Sequence, residues 1–211
     1  MKTSPVRKPS LRKPLTTRSA SRSHLALVLM GSAASLFTLA PAAHAVVSTW
    51  QSGASTANWA DAANWGGTLP VTSGSLVFGA STQTTLNNNL TSGTGWVVPS
   101  IAFSAAAPAY TIGGNTFTLG NNTAGTVISN SSTQTQTINN DLNLGNAAQT
   151  ITLTAGGGNV TLGGNISGSG TASGLVISGT GVLKLTGSST YKGQTNIGSG
   201  VTVLVTSTSG L

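Results

Sequence analysis

The chain has 211 residues with 9 Lys or Arg, 2 Asp or Glu, 2 His and no Cys, for a formal net charge of +7. Seven of the basic residues (Lys2, Arg7, Lys8, Arg12, Lys13, Arg18 and Arg22) lie in the first 22, and past residue 45 only Lys184 and Lys192 remain, against Asp61 and Asp141. The basic balance therefore belongs to the leader and gives the rest no electrostatic ground for a nucleic-acid partner. Beyond residue 45 there is also no His, Cys, Glu, Arg or Met, which excludes most acid–base, thiol and transition-metal chemistry.

Residues 1–24 are basic, rich in Ser, Thr and Pro, and free of acid. The 16 residues from Leu25 to Ala40 are predominantly apolar, and Ala43-His44-Ala45 puts small residues at the two positions a signal peptidase reads. This order predicts a secretory signal peptide at 1–45, cleaved after Ala45. A spanning helix needs about 20 apolar residues, more than this run supplies, and it is interrupted by Gly31, Ser32 and Ser35. The amphipathic helix of a mitochondrial transit peptide is broken by Pro5, Pro9 and Pro14. The expected route is export through the secretion machinery, by way of the periplasm, to the cell surface, the outer membrane or the medium. Residues 46–211 suffice for one domain; lacking Cys, it must rely on burial and backbone pairing instead of disulfides.

From Val46 onward no helical periodicity appears, and 27 of the 28 glycines fall here, which by composition alone also fits disorder. Alternation argues otherwise. Residues 75–78, 110–112, 116–119, 142–144, 151–153, 160–162, 182–185 and 201–205 alternate apolar with polar and are bounded by Gly, Asn or Ser, the pattern of half-buried strands. The strands are short, and turn residues recur more densely than in a sandwich or barrel. Phe117, Ile138, Leu162, Leu183 and Val203 recur at intervals near 21 residues, as in a coil stacking on itself. Asn87 to Asn89, Asn121-Asn122 and Asn139-Asn140 are candidate corners, because Asn tolerates left-handed backbone angles. No Pro follows Pro108, as an uninterrupted ladder requires. The expectation is an all-β, right-handed parallel β-helix of about five coils, with an N-terminal cap and first strands over 46–100 and coils over 101–211.

Chemistry has few places to reside. Glycoside hydrolysis needs two carboxyl groups about 5–10 Å apart, and Asp61 and Asp141 fall in different coils of such a solenoid. Both read as turn residues, and Lys184 and Lys192 as outward charges on strands. Gly-rich corners without Asp do not match a calcium roll. No enzyme activity, cofactor or metal site is expected. All four Trp (Trp50, Trp59, Trp65 and Trp96) precede residue 97. They either bury under a cap that closes the first coil or, in the case of Trp50, Trp59 and Trp65, form an exposed platform that stacks on surface glycans. The Asn-x-Ser/Thr matches are what chance produces in such a composition.

The segment from Gly181 to Gly200, with Gly181, Leu183, Leu185, Gly187, Tyr191, Gly193, Thr195, Ile197 and Gly200 at fixed spacing, resembles the autotransporter-associated β-strand repeat, here placed at 181–203. Ser189 stands where that repeat usually has Asn, and Gly200-Val201-Thr202 where it usually has Gly-Thr-Leu. Trp50, Trp59, Trp65, Pro70, Gly74 and Val77-Phe78 resemble the opening of such exported passengers. The resemblance implies a passenger-type β-helix at a bacterial surface, a non-catalytic stalk or adhesin-like segment. The pattern breaks off within a repeat and reads as an N-terminal fragment, with a β-barrel translocator encoded downstream as its partner.

Overall fold

The computed structural model describes residues 46–207 apart from 92, 94 and 155–157; the expected signal peptide lies outside the described residues. The chain opens with β1 (Val47–Trp50), followed by a 3-10 turn at Ala62–Trp65. A first coil comprises β2 (Ser75–Phe78), β3 (Thr85–Asn88) and β4 (Val97–Val98). The second has β5 (Ile101–Phe103), β6 (Thr111–Gly114) and β7 (Phe117–Leu119), the third β8 (Gly125–Asn130), β9 (Gln136–Ile138) and β10 (Leu142–Asn143). The fourth has β11 (Ala148–Leu153), β12 (Val160–Leu162) and β13 (Ile166–Ser167). Then come β14 (Gly174–Gly179) and β15 (Gly181–Leu185), and finally β16 (Thr195–Ile197) and β17 (Val201–Val205).

Every pairing joins one coil to the next in parallel, giving sheets ordered β1-β2-β5-β8-β11-β14-β16, β4-β7-β10-β13 and β3-β6-β9-β12-β15-β17. This is a parallel β-solenoid of about five turns. Alternation explains the burial: inward positions form columns, and outward positions are mostly polar or small, with Val47 and Leu204 as exceptions. Leu76, Ile101, Ile128, Ile151 and Ile177 stack in register and are fully buried. Leu86, Ile112, Ile138, Leu162 and Leu185 do the same on a second sheet.

The interval near 21 is corrected by these registers. Successive partners Leu76, Ile101, Ile128, Ile151, Ile177 and Ile197 lie 25, 27, 23, 26 and 20 residues apart. Phe117 belongs to another sheet, opposite Leu142, and Leu162 pairs with Leu185 while Leu183 pairs with Val160. Corners vary in length without disturbing a column, so anchors chosen by spacing alone mix columns. The register shift between Thr150 and Ile151 is one such adjustment: it sets both Val127 and Ile128 of β8 inside the core.

The asparagine corners are partly as expected. Asn122 has a left-handed φ of 54°. Asn87 and Asn88, however, lie within β3, and Asn88 points inward, fully buried.

Candidate functional site

The tryptophans come first. Asp61 accepts from the Ala63 N–H at 3.1 Å and so caps the 3-10 turn. That turn carries Trp65 over Trp50 and Trp59, with ring centroids 5.0 and 5.8 Å away, each edge-on. Trp59 also packs against Phe78, Trp96 and Phe117 at 6.0, 5.9 and 6.4 Å. Trp65 Nε1 donates to the Trp59 carbonyl at 2.9 Å. Trp50, Trp59 and Trp65 are 1%, 0% and 5% exposed. Stacking on a sugar needs a ring face open to solvent; Trp50 and Trp59 are enclosed, and Trp65 reaches only the wall of the groove along β1. The three rings expected as a glycan platform belong to the start of the core. The alternation of β1 places Trp50 inward, but only the path of residues 51–65, which has no periodicity, settles the other two.

In the repeat-like segment, Leu183 and Leu185 are buried and Lys184 is exposed. Gly187 and Gly193 are demanded by neighbouring coils: a Cβ on Gly187 would run into the Gly164 carbonyl, and one on Gly193 into that of Ser173. The Tyr191 hydroxyl pairs with Thr195 Oγ1 at 2.6 Å, and burial raises its pKa above the ordinary phenol value. Ser189 bridges to Ile166, taking the place of a strand on the third sheet. Thr195, Ile197 and Gly200 lie on or beside β16 and β17, and Ile197 is exposed. Gly187 and Gly193 are thus explained by coil packing, and of the motif residues Gly193 also lines a shallow groove beside Lys192.

The charged groups are dispersed. Asp61 also accepts from Thr56 Oγ1 at 2.9 Å, and Asp141 accepts the Asn165 N–H at 2.7 Å, bridging two coils. Both carboxylates hold local structure. Lys184 and Lys192 are exposed.

Surface relief among the described residues includes two grooves of mixed polarity and a more apolar one. A groove of about 300 Å³ crosses the coils beside Thr118, Asn122, Asn143, Asn146 and Ser169, and a second, of about 350 Å³, lies beside Lys192 and Asn196. The third, of about 500 Å³, runs along β1 under Leu69 and Val71. It was not legible in the sequence, because it exists only where residues 65–71 fold back beside the first strand. Also unforeseen were inward amides. Asn88, Asn130, Gln136, Asn140 and Gln149 are fully buried. Gln136 accepts from the Tyr110 N–H and donates to the Pro108 carbonyl, both at 3.0 Å. Asn130 Nδ2 donates to the carbonyls of Gln134 and Asn159, again at 3.0 Å. These side chains satisfy backbone groups at corners where the ladder is interrupted.

Comparison with family models, with curated proteins and with solved structures gave no match to this chain.

Proposed function

We propose that the protein is a non-catalytic, surface-exposed or secreted β-helical passenger segment, a structural stalk of adhesin-like type in an autotransporter-like system. The observation that supports this reading best is the continuous parallel ladder, seven strands deep on one sheet and six on another. Such stacking makes a quasi-one-dimensional rod in which each coil contacts only its neighbours. The side chains that chemistry would recruit are occupied in building it: both Asp residues hold backbone N–H groups, and the tryptophans fill the core. The basic, apolar and Ala-x-Ala order of residues 1–45 supports export.

The test is expression of the whole chain in a Gram-negative host, followed by fractionation, mass spectrometry and protease treatment of intact cells. The expected outcome is a mature species beginning at Val46, either released or accessible to added protease. A cytoplasmic species that retains Lys2 to Arg22 overturns the export reading. A processed species confined to the periplasm overturns the surface assignment.

A further inference from the structure

Among the described residues, the exposed large apolar side chains gather at the two ends of the solenoid, with Val47, Leu69 and Val71 at one and Ile197, Leu204 and Val205 at the other. Among the described residues, β1 and β16 are the outermost strands of the longest sheet, each paired on one side.

Hydrogen bonding shows which backbone groups face each free edge. The Val46 carbonyl accepts from the Ser75 N–H at 2.8 Å. Val46, Ser48 and Trp50 therefore face β2, and Val47 and Thr49 face outward, since alternate residues bond to opposite sides. Gln51 Nε2 donates to the Thr49 carbonyl at 2.9 Å. The Val47 N–H and carbonyl and the Thr49 N–H have no partner among the described residues. At the far end the Gln194 carbonyl accepts from Leu175 at 3.1 Å and the Gly198 N–H donates to Ile177 at 2.8 Å. Thr195 and Ile197 therefore face outward there.

We propose that these edges join, so that β16 of one copy adds to β1 of a second copy, in parallel and head to tail, along the apolar groove. The existing ladder sets the register. Ile197 ends the inward column that Ser48 begins, so the continuation places Ile197 opposite Ser48 and Asn196 opposite Val47. In that register the Val47 N–H donates to the Thr195 carbonyl, the Ile197 N–H to the Val47 carbonyl, and the Thr49 N–H to the Ile197 carbonyl. The groove walls, which include Trp65, Leu69 and Val71, carry no charged side chain, and neither do β16 and β17. The charged side chains that ordinarily keep free strands apart are missing from β1, β16 and β17. The contact is heterologous, so it propagates instead of closing.

The test uses residues 46–211, which contain every described strand and the whole buried core. Val47→Pro removes an outward N–H that β2 does not use, and Ile197→Pro does the same at the other edge; Pro is tolerated at such positions. By light scattering over rising concentration, the unaltered protein is expected to grow beyond a dimer, and each variant alone to stay monomeric. An equimolar mixture of the two variants is expected to stop at dimers, because each supplies one intact edge. Val71→Lys and Ile197→Lys repeat the head and tail tests without altering the backbone. A monomeric parent at high concentration, a head or tail variant that assembles like the parent, or a mixture that stays monomeric overturns the proposal.

Discussion

Lys184 and its neighbours show how completely position on a strand decides what a side chain is worth. Leu183 and Leu185 are 0% and 1% exposed, while Lys184 between them is open to solvent. Leu185 sits in a column that runs from Ile138 and Leu162 on one side to Val205 on the other, so truncating it opens a cavity that neighbouring coils cannot easily close. Leu185→Ala is expected to cost about 2–5 kcal/mol and Lys184→Ala to stay within about 0.5 kcal/mol, as measured by denaturant unfolding. Equal costs would mean that the inward face has been misassigned. The alternation of residues 182–185 is enough to assign the inward face from residue order alone. The neighbours that complete the column are not readable there, because they come from other coils.

Corners carry as much of the fold as strands do. Between β5 and β6 the chain passes Pro108, which lacks an N–H, and here Gln136 reaches across from the next coil to Tyr110 and Pro108. Replacing Gln136 by Ala leaves a buried N–H and a carbonyl without that partner, at about 1–3 kcal/mol. Gln136→Glu keeps the shape but buries a carboxylate beside the Pro108 carbonyl, which can only accept, and is expected to be at least as costly. Thermal or denaturant melts check both; a neutral Gln136→Ala would show that the amide merely fills space. A Gln in an alternating segment looks like an outward residue, so its inward role is invisible until the neighbouring coil is placed. The same holds for Asn88 and Asn130.

Among the described residues, aromatic bulk and burial are graded from one end to the other. The aromatic contacts all fall between Trp50 and Phe117, whereas in β16 and β17 no residue is fully buried. Titratable groups are few, and two tyrosines report on pH. The Tyr110 hydroxyl donates to the Gly79 carbonyl at 2.8 Å, and burial raises its pKa, like that of Tyr191, above 10.0. A raised folded-state pKa means that the neutral phenol is favoured by folding. Its contribution is complete below the unfolded value and is lost as pH rises through the folded one. Stability is therefore expected to fall above about pH 10, and Tyr110→Phe to reduce that fall; melting temperatures through the alkaline range decide it. An alkaline loss of the same size in Tyr110→Phe would exclude Tyr110 as a source.

The strand class was determined by local physics. Alternation, β-branched residues and Gly or Asn at strand ends require no knowledge of what lies beside them, so eight of the sixteen strands from Ser75 onward and the inward face of β15 were evident from residue order. So was the parallel stack of coils, because dense turns and a Pro-free run leave few other ways to bury one face. The tertiary structure decided everything that depends on which coil meets which residue. It fixed the true register, with its 20- to 27-residue steps, because corners lengthen or shorten without changing an inward column. It turned Trp59 and Trp65 into core, because their burial depends on a 3-10 turn held by Asp61. It also created the groove along β1, because an edge becomes a surface only when one side of a strand is paired and the other is not.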